Sequence, residues 1–117
     1  MNKPLDQLDW EMTKEGVGFA ALEGDRFVEA YMAMVKLPAG LNSPLHMKTA
    51  NMFGLVVSGT IVNIKAGADD ATGVMLNAGA YYKIPAGETH VSNCVSDVDC
   101  VTFLYQDGKF DFLPVKP

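Results

Sequence analysis

Three side chains able to bind, titrate or ligate recur at short, regular spacing around two glycine-marked turns. In Gly40-Leu41-Asn42-Ser43-Pro44-Leu45-His46-Met47-Lys48, His46 and Lys48 stand two residues apart just after a Pro/Gly turn. Residues two apart on a strand project to one face, so both side chains enter the same space. The second block runs Gly79, five residues, Pro85, one residue, Gly87, two residues, His90. Glu88 lies two residues before His90 and shares its expected face. A neutral imidazole can donate, accept or ligate a metal, whereas a protonated lysine has three donors and no lone pair. Two imidazoles and an ammonium in one cavity therefore suit a polar or anionic small molecule better than a dication.

Many short apolar runs separated by Gly/Pro turns must position these groups. Phe27 to Leu37 ends at Pro38-Ala39-Gly40, and Leu55 to Ile64 is β-branched with Gly59 in its middle as a bulge. Gly67 to Gly73 turns the chain back into Val74-Met75-Leu76. Tyr81 to Ile84, His90 to Val95, Cys100 to Tyr105 and Phe110 to Leu113 follow. No segment shows a sustained helical period, so the expected fold is all-β, a sandwich or barrel. Gly16 to Leu22 is expected to pair with Phe27 to Leu37 around Glu23-Gly24-Asp25, and Leu5 to Met12 reads as a short helix or an arm. Met32 and Met34 alternate with Tyr31, Ala33 and Val35 in a strand read as buried on both faces, hence core and not a metal box. Of Tyr81 and Tyr82, which point to opposite faces, one is expected to reach the pocket. Trp10 is expected to cover an open barrel end or to pack on a partner, and Asp69-Asp70 reads as a solvated hairpin tip and not a calcium loop.

The 117 residues suit a single domain, and an apolar fraction of 49% with 20% charged residues argues against disorder. The net charge is −5 and the nine Lys and Arg are scattered, so no basic stripe suits nucleic acid. No apolar run approaches the roughly 20 residues of a membrane span, and the start MNKPLDQLDWEMTK lacks a signal-peptide core. A cytoplasmic location is the expectation, unless a leader has been removed. Cys94 and Cys100 flank what reads as a hairpin tip centred on Asp97. That geometry allows a disulfide, while a reducing cytosol favours two half-buried thiols.

The two glycine-led blocks resemble the two motifs of the cupin superfamily, over Leu37 to Leu113, with residues 1–36 as an arm and first strands. Val56-Val57-Ser58-Gly59-Thr60 and Gln106-Asp107-Gly108-Lys109-Phe110-Asp111 look like a group of small cupins related to anti-sigma-factor cupin domains. The resemblance implies a double-stranded β-helix barrel, a homodimer, and an interior divalent metal held by three histidines and a glutamate. His46 and His90 match two of those histidines, but Lys48 stands at the position of the third and Met52 at that of the glutamate. Cys94 occupies the closing asparagine position, with Asn93 one place early and facing the other way.

Such a first motif has lost its normal metal chemistry. No cofactor is expected. A divalent metal on His46 and His90, with Glu88 as substitute carboxylate or Met52 as a soft copper ligand, is the alternative. The leading expectation is a pocket lined by His46, Lys48, Met52 and His90 that binds a small polar or anionic molecule. One competing class is an enzyme, either a metal-dependent dioxygenase or isomerase with unusual ligands or a metal-free one using Lys48 as base or Schiff-base amine. The other is a sensing or dimerisation module.

Overall fold

Alternation within the strands sets which residues face inward. The computed structural model describes residues 1–68 and 73–116. In chain order the strands are β1 (Glu11–Met12), β2 (Gly18–Glu23), β3 (Tyr31–Leu37), β4 (His46–Met47), β5 (Met52–Ser58), β6 (Ile61–Lys65), β7 (Tyr81–Ile84), β8 (His90–Cys94), β9 (Cys100–Gln106) and β10 (Leu113–Pro114). A single 3-10 turn, Leu5–Gln7, precedes them. On β5, Met52, Gly54 and Val56 are buried while Leu55 and Val57 are exposed, the period of two that a sheet with one covered face requires.

Every strand pairing is antiparallel. Six strands order as β1-β2-β3-β9-β5-β7 and four as β10-β4-β8-β6, and the two sheets pack into one barrel-like sandwich. Tyr31, Ala33, Val35, Met52, Ile84 and Leu104 form the larger part of the core. Val56, Ile61, Cys94 and Cys100 form a second cluster. Among the described residues, no helix is long and apolar enough to cross a membrane.

β2 and β3 pair as their sequences suggest, but β3 starts only at Tyr31. Asp25 forms a turn instead, accepting the backbone N–H of Phe27 at 2.9 Å, and Phe27 and Val28 are 61% and 71% exposed. β3 is also covered on one face only, since Met32 is 39% exposed. Leu55 to Ile64 is not one bulged strand. Gly59, at φ +78°, turns the chain out of one sheet and into the other. Leu76 makes only an isolated bridge with Ile61, and only Leu113 of the run from Phe110 is in a strand. Trp10 lies on the outer face of the larger sheet beside Gly18, with the Lys36 ammonium 4.2 Å from its ring centre, and not across a barrel end. The Asp69-Asp70 tip lies outside the described residues.

Cys94 and Cys100 do not flank a hairpin, because β8 and β9 belong to different sheets. They are joined as a disulfide, Cα atoms 5.8 Å apart, that ties the two sheets together. The Gly59 turn packs directly on this bridge: a Cβ there would lie 2.8 Å from the Cα of Cys100. Thr60 completes the corner, its N–H donating to Ser96 Oγ at 3.1 Å and its carbonyl accepting from Val95 N–H at 2.9 Å. Gly40 has a similar φ of +76° but open space around it. Gly59→Ala is therefore expected to lower unfolding free energy by roughly 2–4 kcal/mol in urea titrations, and Gly40→Ala by only about 1 kcal/mol. Equal losses at the two positions would contradict the close packing at this corner.

Candidate functional site

β4 and β8 meet at a single residue pair, His46 opposite His90. Directly opposed residues project to the same side, and here the two rings lie 4.3 Å apart, centre to centre, at a tilt of 55°. Both are buried, His46 to 4% exposure and His90 to 1%. Each ring is anchored by the loop that leads into its strand: His46 Nδ1 lies 2.8 Å from the Pro44 carbonyl and His90 Nδ1 lies 3.1 Å from the Glu88 carbonyl. A carbonyl only accepts, so each Nδ1 carries the proton and each Nε2 is left with a free lone pair. Burial pushes the His46 pKa down to about 4, against the pull of the Pro44 carbonyl, and His90 and Lys48 add to the depression. Burial also lowers the pKa of His90, and the Lys48 charge works in the same direction. Both rings are neutral at neutral pH.

Lys48 turns toward the chain's last segment. Its ammonium lies 4.9 Å from the ring centre of Phe110, an aromatic packed edge-on against Phe19 in the core. Burial lowers the Lys48 pKa to about 8, opposed by the nearby Asp111 carboxylate. That carboxylate also accepts from Thr49 N–H at 3.0 Å and Thr49 Oγ at 2.7 Å. Phe112 lies nearly parallel to His46, centre to centre 4.3 Å. Gln106, wholly buried, holds the start of this segment by donating Nε2–H to the Lys109 carbonyl at 2.9 Å. Phe110 and Phe112 thus form a strap across Lys48 and His46, with Phe110 N–H donating to the Arg26 carbonyl at 2.6 Å.

The adjoining cavity has a volume of about 330 Å³ and is walled by Asn63, Leu76, Tyr82, Ile84, Glu88 and His90, with Lys65, Val74 and Lys83 beside them. Two buried polar atoms on these walls have no partner among the described residues: Nε2 of His90 and Nδ2 of Asn63. The Asn63 Oδ1 is already taken, accepting from Ser92 Oγ at 2.7 Å. Tyr82 is the inward-facing one of the tyrosine pair and fills the notch at Gly54, where any added Cβ would overlap its ring. His46 touches His90 but is not on the cavity wall, and neither Lys48 nor Met52 lines it. Met52 is 7% exposed and belongs to the apolar core. Cys94 and Cys100 lie in the second core cluster. A second hollow, about 590 Å³ beside Trp10 and Lys36, has no unpartnered buried side-chain polar atom among the described residues.

Asn63 escaped the motif-based reading. The available signal was its place two residues after the inward Ile61 and two before Lys65 on β6. Its significance depends on the pairing with Ser92 on β8, which no local pattern encodes.

The metal-binding set that the resemblance implies does not fit these residues. Among those described, no three His, Cys, Asp or Glu side chains converge. Lys48 supplies an ammonium in place of an imidazole, and Met52 lies in an apolar cluster. Glu88 does not complete a trio with the histidines. Its carboxylate is 4.0 Å from the Lys65 ammonium.

Two antiparallel sheets closed around paired histidines define a cupin fold, and known structures agree. The cupin domain of Schizosaccharomyces pombe Cnp3 superposes with a TM-score of 0.73 at 15% identity, over 93% of this chain and 74% of that one. An RmlC-like cupin from Shewanella frigidimarina gives 0.69 at 16% identity, covering 90% and 88%. A chain of the Rhodobacter sphaeroides SigE–anti-sigma ChrR complex gives 0.69 at 21% identity, covering 89% of this chain and 52% of that one. Identities this low speak for the fold alone. The model of the domain of unknown function DUF4437 matches residues 12–117, and the chain belongs to that family. No curated protein matches it.

The buried histidines make stability depend on pH. The unfolded chain takes up a proton on His46 more readily than the folded one, so this contribution is complete above about pH 6.5 and fades as pH falls toward 4. Its size is roughly 3 kcal/mol. Denaturant titrations are expected to show a steeper loss between these limits in the wild type than in His46→Phe. Imidazole NMR signals of His46 titrating near 6.5 would contradict its burial as a neutral ring.

Proposed function

We propose that this protein binds a small polar or anionic molecule inside the barrel, in the cavity next to His90, without a resident divalent metal. The observation that supports this is the pair of buried, unpartnered atoms on one cavity, His90 Nε2 and Asn63 Nδ2. Each unmet buried group costs about 1–3 kcal/mol, a cost that a bound polar molecule removes. His46 backs the His90 ring, and the charge of Lys48 helps to keep both imidazoles neutral.

The lysine-dependent enzyme reading has less support. A pKa near 8 gives Lys48 some neutral amine at neutral pH, but its nitrogen is seated on Phe110 and lies off the cavity wall. A metal-dependent reaction needs a donor set that Lys48 and Met52 do not supply.

A panel of small polar and anionic compounds, read by melting temperature, tests the proposal. At least one compound class is expected to raise the melting temperature of the wild type and to lose most of that effect in Asn63→Leu. Elemental analysis of untagged protein is expected to find well under one divalent ion per chain. A compound panel without effect, or tight metal at one equivalent, would overturn this reading.

A further inference from the structure

The hydrogen-bonding polarity of the cavity is fixed, and it narrows the ligand further than "polar". His90 Nδ1–H is held by the Glu88 carbonyl, so Nε2 can only accept. Asn63 Oδ1 is held by Ser92, so its remaining group is the Nδ2 amide NH2, which can only donate. Among the described residues, these are the unpartnered buried side-chain atoms on this cavity, one acceptor and one donor. The third such atom, Asn93 Oδ1, sits on the opposite face of β8 from His90. Asn63 pairs with Ser92 across the β6–β8 ladder, two residues from His90. Such diagonal neighbours stand about 7–8 Å apart at Cα, so their tips can meet adjacent oxygens of one small molecule.

Charge decides between the remaining classes. A carboxylate buried against a single neutral amide donor keeps most of its desolvation penalty. The lysine at the cavity's edge does not offset that cost, because Lys65 is largely exposed and lies beside Glu88 at 4.0 Å. Lys83 reaches instead toward the ring of Phe53, 5.3 Å away. A diol fits less well: the hydroxyl that accepts from Asn63 brings a proton of its own, and among the described residues His90 Nε2 is the one buried, unpartnered acceptor on these walls. A carbonyl oxygen accepts from Asn63 and brings none.

We propose that the ligand is an uncharged hydroxycarbonyl compound, its hydroxyl donating to His90 Nε2 and its neighbouring carbonyl oxygen accepting from Asn63 Nδ2–H. Its carbon skeleton rests on Leu76, Tyr82 and Ile84. The inference rests on the binding role proposed above and specifies what is bound.

Three probes of nearly equal size separate the classes: hydroxyacetone, propylene glycol and lactate. Each is titrated into isotope-labelled protein while NMR follows the Asn63 side-chain amide and the His90 imidazole. Hydroxyacetone is expected to shift both signals and to bind about tenfold more tightly than either of the others. Asn63→Asp, close in size but without the donor, is expected to lose about tenfold in hydroxyacetone affinity. Propylene glycol or lactate binding as tightly through the same two signals would overturn the hydroxycarbonyl class and leave the pocket's binding role standing. If none of the three moves either signal of the wild type, the hydroxycarbonyl class is likewise overturned. The binding role itself then stands or falls with the wider compound panel.

Discussion

The contact between the His46 and His90 rings joins β4 to β8 at their single paired position. Two imidazoles this deeply buried are tolerable only as neutral rings with their protons assigned. The chain meets that requirement locally, with each Nδ1 proton given to a carbonyl two residues earlier on the same segment. Once those protons are placed, each Nε2 keeps its lone pair, and that of His90 is buried on the cavity wall without a partner among the described residues. Aromatic cover from Phe112 and the positive charge of Lys48 make protonation of His46 still less favourable.

The two parts of the barrel interior have different demands. Around the Cys94–Cys100 bridge, Val56 and Ile61 are buried and the Gly59 turn packs directly on Cys100, and the chain crosses between sheets there in both directions. That corner holds the smaller sheet against the larger one. Toward His90, the walls instead leave a cavity with unmet hydrogen-bonding groups. Packing therefore fixes the frame, and the unmet polar groups of the cavity lie on the inner face of β6 and β8.

Much of this was legible in the residues. The glycine-led spacing before His46 and before His90 placed both imidazoles on inward positions, and the evenly spaced turns gave an all-β barrel. The departure of Lys48 and Met52 from the usual metal ligands was visible in the residues, because an ammonium and a thioether differ from an imidazole and a carboxylate whatever the fold. What local patterns do not carry is which strands become neighbours. Asn63 gains its role only through the register that sets it opposite Ser92. Cys94 and Cys100 looked like hairpin partners because six residues of separation suit a turn, yet the turn here passes between sheets. The strap was equally hidden: Phe110 and Phe112 read as strand residues, whereas buried Gln106 and the Arg26 carbonyl hold that segment across Lys48.

The most direct measurement is a high-resolution crystal structure of protein purified without chelator, inspected at the space next to His90 Nε2. An organic molecule is expected there, donating a hydrogen bond to His90 Nε2 and accepting one from the Asn63 amide. A metal ion coordinated jointly by His46 Nε2 and His90 Nε2 would contradict this expectation.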